Sequence, residues 1–399
     1  KSSFLNLVAN QEVSIVSPVA GTTTDIVEKS MELMPVGPVT FLDTGGIDDR
    51  SILSEQRVSR TLKILDRADV VVLLLEPNIW TEYEENIVQE AKKRNTPIIL
   101  IINKCDLEAP KNDFINTLND YSKKILQVSS IETFNRNLYI NEFKEVLQSI
   151  QNKLEEKVDL LGDILQPGSL AVFIVPIDSE APKGRLILPQ VQAIRNVLDS
   201  GSAVVVVRDT EYKDYLKKLS NLPDLVVCDS QVVHRMVADT PPEVKCTTFS
   251  ILFSRYKGDL LEEVIGSAHA DFLNDGDRVL IAEACSHHPL QDDIGRIKIP
   301  HWLQQYLRKS IQFEVVSGKD FPEDLTRYKL IIHCGSCMLT RTEKLNRIRR
   351  AKEARVPITN YGIIISKSQG VLERVLSPFP DILNEYRRIL DLHEKVVNL

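Results

Sequence analysis

The sequence predicts an α/β protein of three consecutive domains, each built on a largely parallel sheet. Apolar runs of strand length recur along the chain, among them Asp69 to Leu75, Pro97 to Ile102 and Tyr328 to Ile332. They alternate with segments of helical period. Several of the runs end in short polar loops bearing Asp, Asn, Gly or Cys, where open α/β sheets hold their ligands. A length of 399 residues suits several domains. Lys144 to Leu165 has helical character, with Val146, Leu147, Ile150, Leu154 and Val158 on one face, and Pro167 and Gly168 close it. Asp239-Thr-Pro-Pro242 punctuates the chain again. The expected domains are therefore 1–157, 158–245 and 246–399.

Composition excludes several classes. Net charge is −7, against non-specific nucleic-acid binding, which needs basic patches. Apolar content of 43% and charged content of 26% are ordinary for a globular chain. No apolar run approaches the roughly 20 residues that span a bilayer, and no signal peptide is visible. Six cysteines in a chain this long are not a disulfide framework. A reducing cytoplasmic compartment is expected.

The first domain reads as a nucleotide switch. Lys1-Ser2-Ser3 precedes the helical pattern Phe4, Leu5, Leu7, Val8 and has the form of the end of a phosphate-binding loop, whose glycines and feeding strand are expected to precede Lys1. Ala20-Gly21-Thr22-Thr23-Thr24 follows, a loop or a strand edge when taken alone. The strand Pro38 to Leu42 then ends in Asp43-Thr-Gly-Gly46, a D-x-x-G sequence. Asp43 would hold Mg2+, and the Gly46 amide would meet a γ-phosphate. The strand Pro97 to Ile102 runs into Asn103-Lys104-Cys105-Asp106, an N-K-x-D sequence. Its Asp106 carboxylate can accept from guanine N1 and the exocyclic amine, donors that adenine does not offer together. Ser129 and Ser130 take the place of the last guanine-contacting loop. Each piece is weak, but their order is specific.

The middle region continues the α/β pattern. Strands are expected at Leu170 to Val175, Ala203 to Val207 and Leu225 to Val227, with helices at Pro189 to Leu198, Tyr212 to Leu219 and Gln231 to Val237. No catalytic cluster is visible there, which makes the region a candidate for self-association. Cys228 reads as core. In the last region, strands are expected at Cys246 to Phe253, Arg278 to Ala282, Gln312 to Val316, Tyr328 to Ile332 and Val356 to Asn360. Helices are expected at Leu260 to His269, Trp302 to Arg308, Arg341 to Ala354 and Ser368 to Leu376. Cys246 reads as packing.

Two of these strands deliver soft ligands. Cys285-Ser-His287-His288 follows Arg278 to Ala282, and His333-Cys334-Gly-Ser-Cys337 follows the other strand, with Cys285 and Cys334 separated by 49 positions. Three thiolates suit iron–sulfur or zinc chemistry. Both a Cys3His zinc site and a GTPase assembly factor with structural cysteines remain open on the residues alone. Candidates for a non-cysteine ligand are His287, His333, Asp292 and Asp293.

The order of loops over residues 1–150 resembles the Era/TrmE-like members of the Ras/Era-type P-loop GTPases. That resemblance assigns Lys1, Ser2, Ser3, Thr22, Thr23, Asp43 and Gly46 to phosphate and Mg2+, and Asn103, Lys104, Asp106, Ser129 and Ser130 to the base of GTP or GDP. Lys1, Thr23, Asp43 and Gly46 would be the catalytic set. Ile47 stands where Ras-like proteins place a water-orienting Gln, so intrinsic hydrolysis is expected to be slow, and TrmE-like relatives imply stimulation by K+. The whole chain resembles the FeFe-hydrogenase maturation GTPases. Cys285-x-His287, the His333-Cys334-x-x-Cys337 sequence, Asp292-Asp293-Ile-Gly-Arg, Lys298-Ile-Pro-His-Trp302 and Val356-Pro-Ile-Thr-Asn-Tyr-Gly362 carry the resemblance. It implies a homodimer, a 4Fe–4S cluster on Cys285, Cys334 and Cys337, and a diiron precursor received from radical-SAM maturases and passed to apo FeFe-hydrogenase.

Overall fold

The computed structural model describes residues 2–9, 27–43, 61–62, 64–122, 124–132, 134–155, 159–177, 186–284, 293–318, 321–335 and 339–397. The chain forms two compact units, 1–157 and 158–399.

The first unit opens on the helix Ser2–Ala9. An antiparallel hairpin follows, β1 (Val27–Leu33) paired with β2 (Gly37–Asp43). β1 was not anticipated from the sequence, because Val-Glu-Lys-Ser-Met-Glu-Leu is mostly polar. A parallel sheet β3-β4-β5 comes next, from β3 (Val71–Leu75), β4 (Ile98–Ile102) and β5 (Ile125–Gln127). Its central strand is buried on both faces and splits its side chains by period two. Ile99 and Ile101 pack with Phe4, Leu7, Val8, Phe143 and Val146, whereas Leu100 and Ile102 pack with Ile87, Val88, Ala91 and Leu118. The helix Glu82–Lys93 starts at a capping box, in which the Thr81 hydroxyl accepts from Tyr83 N and the Glu84 carboxylate accepts from Thr81 N at 2.8 Å. The helix expected at Lys144 to Leu165 lies earlier, at Arg136–Glu155.

The second unit holds two four-stranded parallel sheets of identical strand order. One is β7-β6-β8-β9, from β6 (Leu170–Ile174), β7 (Ala203–Val207), β8 (Leu225–Cys228) and β9 (Lys245–Thr248). The other is β11-β10-β12-β13, from β10 (Arg278–Ala282), β11 (Gln312–Val316), β12 (Leu330–His333) and β13 (Ile358–Asn360). In both, the first strand sits between the second and the third, so the direction of winding reverses beside it. One continuous core joins the two sheets, including Phe173, Val227, Phe249, Leu252, Val264 and Ile332. β9 begins at residue 245, so the first sheet reaches across the boundary expected there.

Two expectations fail for physical reasons. Cys246 to Phe253 is not one strand. β9 ends at Thr248, whose hydroxyl accepts from Ile251 N at 3.2 Å and caps the helix Phe249–Lys257. That helix buries Phe249, Ile251, Leu252, Phe253 and Ser254, and an apolar run buried on nearly every side has no period to separate it from a strand. Ser368 to Leu376 is not one helix either. Asn360 caps a helix at Tyr361–Ser368, which ends before Gly370 in the left-handed region at φ +71°, and a short turn Leu372–Val375 follows. The long helix Pro380–Val397 was not foreseen. Among the described residues, no helix is long and apolar enough to cross a membrane.

Candidate functional site

The loops carrying Asn103 to Asp106 and Ser129 to Ser130 come together at the carboxyl ends of β4 and β5. Asn103 N donates to Leu75 O at 2.9 Å and Val128 N to Ile102 O at 2.9 Å, so the sheet ladder continues into both loops. The Asn103 side-chain oxygen accepts from Ser130 N at 3.0 Å and from the Ser130 hydroxyl at 2.9 Å. The N-K-x-D loop is thereby fastened to the Ser129-Ser130 loop. Lys104 sits at φ +66°, and its ammonium pairs with Glu76. Asp106 is exposed at the mouth, where an incoming base can reach it. Burial pushes the Cys105 thiol up, and its Sγ donates to Ile102 O at 3.3 Å, which leaves it a packing role. Asp43 ends β2 and is half-buried; Ser3 is half-buried in the first helix, and Ser2 begins that helix. Lys1, Thr22, Thr23, Gly46 and Ile47 lie outside the described residues.

The strands that precede the cysteine half-sites meet at the switch point of the second sheet of the other unit. β10 and β12 are parallel neighbours, with Ala282 opposite His333. Cys285 is three positions past Ala282 and Cys334 one past His333, so both follow strand ends on the same edge of the sheet. Cys334 N donates to Ala282 O at 3.0 Å, and Ala284 N donates to Cys334 Sγ at 3.1 Å. An amide aimed at sulfur stabilises a thiolate and tunes a cluster bound to it. The buried Arg347 guanidinium lies within the field of Cys334, donates to Gly318 O at 3.0 Å and stacks over Phe321. Cys285, His287, Asp292 and Cys337 lie outside the described residues. Among the described residues no group of three or more His, Cys, Asp or Glu is placed to hold a metal. Cys228 and Cys246 are fully buried in the core; burial pushes the Cys246 thiol up to about 11 and Cys228 well above its ordinary value. Neither is a ligand.

Described residues on either side of 285–292 bind one another. Buried Glu283 accepts from Arg296 Nη2 at 3.0 Å and from the Ser317 hydroxyl at 3.0 Å. Its hydrogen bond raises the Arg296 guanidinium further above its ordinary value. Asp293 is buried, accepts from Arg296 N at 2.8 Å and caps the turn Ile294–Lys298. Gly295 fits there because any Cβ would lie 2.1 Å from the Tyr361 hydroxyl. His333 is buried beneath the site, with Nε2 2.8 Å from Glu263 Oε1. Burial lowers its pKa, with Glu263 pulling the other way. Burial would also raise the Glu263 carboxyl, but Lys344 and His333 outweigh it and hold the group well below the usual carboxylate range. Glu263 and Glu283 were not anticipated. Glu263 did carry a signal, since it shares a helical face with Leu260, Val264 and Ser267.

Comparison with known proteins agrees with this geometry. The family description "Hydrogen maturase F dimerization domain" matches residues 160–258, and "Hydrogen maturase F tetramerization domain" matches residues 261–378. The chain belongs to the hydrogen maturase F family. A third description, "50S ribosome-binding GTPase", matches residues 1–104. The first unit of this hydrogen maturase F chain therefore carries the GTPase-domain match, and the second unit carries both hydrogen maturase F matches. The chain is similar to a tRNA modification GTPase MnmE of Prochlorococcus marinus, 38% identical over 109 residues, which is 27% of this chain and 23% of that protein. It is similar to GTPase Der of Mycoplasmopsis pulmonis, 29% identical over 180 residues, 41% of this chain and 40% of that protein. It is also similar to an MnmE of Nitrosomonas europaea, 36% identical over 110 residues, 27% of this chain and 24% of that protein. The chain thus spans about a quarter of the length of the MnmE relatives and less than half of Der.

The base-reading geometry is testable at one residue. Asp106→Asn should weaken GTP binding by about 2–5 kcal/mol, the scale for truncating one partner of a charged hydrogen-bonded pair. The same variant should gain affinity for xanthosine triphosphate, whose ring offers the complementary acceptor. Titration of both nucleotides decides it, and unchanged GTP affinity would contradict the assignment.

Proposed function

We propose that this chain is a GTP-hydrolysing scaffold and carrier for FeFe-hydrogenase maturation. It binds a 4Fe–4S cluster through Cys285, Cys334 and Cys337 and passes a diiron subcluster precursor to apo FeFe-hydrogenase. The observation that carries this reading is the pairing of β10 with β12, which brings the strands preceding Cys285 and Cys334 into register. The local chemistry fits the group. Cys334 sulfur receives an amide hydrogen, a buried guanidinium stands close by to offset negative charge, and the thiolate donor type suits iron–sulfur binding. Three cysteines leave one iron to a non-cysteine ligand, with His287, His333 and Asp292 as the candidates. When bound, such a cluster supplies an iron with an exchangeable position where a cargo can dock.

The chain's own residues divide the remaining work. Asp106 reads guanine, and Asn103 keeps the serine loop in place beside it. Lys1, Thr22, Thr23, Asp43 and Gly46 hold phosphates and Mg2+. With Ile47 in the Gln position hydrolysis is slow and K+-stimulated, which suits a timer. Glu283 and Arg296 tie together the residues on either side of 285–292. The cargo comes from radical-SAM maturases, and the exchange takes place in the cytoplasm.

Self-association in this reading is a homodimer through residues 158–245. The two edges of the first sheet differ. β9 is covered at Cys246, whose N donates to Ser377 Oγ at 3.3 Å and whose carbonyl accepts from the same hydroxyl at 3.4 Å. β7 is the other edge, an Ala-Val-Val-Val-Val strand in which Val206 is 42% exposed. The exposed side chains of Leu188, Val191 and Leu198 lie on the helix Leu188–Asp199, which packs near β7. A second copy would cover this edge and face. Val206→Lys should convert the dimer to monomer in light scattering, and a persisting dimer would move the interface elsewhere.

Two activities should separate by mutation. Each of Cys285→Ala, Cys334→Ala and Cys337→Ala should lose iron and hydrogenase activation while GTP hydrolysis stays largely intact. Iron content and GTPase rate, the latter in potassium and in sodium, are measured on the same preparations. Full iron in all three variants would refute the three-cysteine site, and equal rates in the two salts would remove the K+ assignment.

A further inference from the structure

The helix Leu260–Ala268 packs unusually close to β13. A Cβ on Gly266 would lie 1.9 Å from Ile358 O, so only glycine allows this approach. One turn earlier on the same face, Glu263 is carried fully beneath the ends of β12 and β13. Its Oε1 meets His333 Nε2 at 2.8 Å and Lys344 Nζ at 3.0 Å. Its Oε2 accepts from Asn360 Nδ2 at 2.5 Å and from the Ser254 hydroxyl. The Lys344 contact is an ion pair without hydrogen-bond alignment. A buried charge with this many partners is costly to disturb, and none of the partners is a cysteine or a nucleotide contact.

The arrangement has a chemical consequence for His333. An ionised carboxylate beside an ammonium group accepts hydrogens and has none to give. The hydrogen in the His333–Glu263 contact therefore sits on His333 Nε2, and a ring nitrogen that carries hydrogen has no lone pair for a metal. We propose that Glu263 is a positioning residue for the cysteine loop: it holds His333 with Nε2 protonated, withdraws that nitrogen from ligation so that only Nδ1 can serve a metal, and pins the residue directly before Cys334. This inference rests on the cluster reading above for its metal arm alone.

The experiment has two arms on the full chain. In the metal-free protein with 15N-labelled histidine, long-range 1H–15N correlation, assigned with His333→Gln, should show a hydrogen on His333 Nε2. An unprotonated Nε2 overturns the proposal. In the second arm, wild type, Glu263→Gln and Glu263→Ala are reconstituted anaerobically with ferrous iron and sulfide. Loss of a partner behind a metal ligand typically costs about 10–100-fold in affinity. Glu263→Ala should therefore retain iron at least about tenfold less well and shift the EPR g values, whereas Glu263→Gln, which still accepts from Nε2–H, should keep most of its iron. A folded Glu263→Ala protein with wild-type iron and an unchanged spectrum overturns the proposal. If that variant does not fold, the histidine measurement on wild type and Glu263→Gln decides. A wild-type chain that takes up no iron refutes the cluster reading and leaves the histidine result standing.

Discussion

The pairing of β10 with β12 is the constraint on which the second unit depends. Parallel neighbours end on the same edge, and the register of Ala282 against His333 fixes how far each following loop must travel. Because β10 lies between β11 and β12, the direction of winding reverses beside it, the place where open α/β sheets hold their ligands. The cysteine sequences follow the two strands that border this switch point. The first sheet has the same strand order, yet its corresponding strands lead into segments without cysteine beyond the buried Cys228. The topology provides the place, and the loop residues provide the chemistry.

Charge handling around these strand ends follows from burial. Glu283 and Glu263 are both buried carboxylates, and each is met by a cation, Arg296 in one case and Lys344 in the other. Leaving either unpaired in a low-dielectric interior costs several kcal/mol, so these pairs resist rearrangement. One joins described residues on either side of 285–292, and the other fixes the strand end before Cys334. The loops after β4 and β5 use a lighter device: two hydrogen bonds from Ser130 to one Asn103 oxygen join them.

Much of this was legible in the residues. Ile99 and Ile101 against Leu100 and Ile102 make β4 a strand buried on both faces, and the polar residues that end it, Asn103 to Asp106, mark the site. The strands leading to Cys285 and Cys334 were readable for the same reason. What escaped was structure lacking a period. Phe249 to Phe253 is apolar in the manner of a strand, and only the Thr248 cap turns it into a helix. β1 is too polar to announce itself and exists through its pairing with β2. Glu263 looks like one of two adjacent surface acids until the helical phase is counted, which puts Glu262 outward and Glu263 inward. Its partners come from four other segments, and no local pattern brings Ser254, His333, Lys344 and Asn360 together.

The central claim is that the switch-point cysteines hold an iron–sulfur cluster in a chain that also binds GTP. Metal and labile-sulfide analysis with Mössbauer spectroscopy on the anaerobically purified full chain tests it most directly. The account predicts about four iron and four sulfide per chain with one iron site spectroscopically distinct, as a cluster with three cysteine ligands requires. Stoichiometric zinc without iron, sulfide or visible absorption would contradict it.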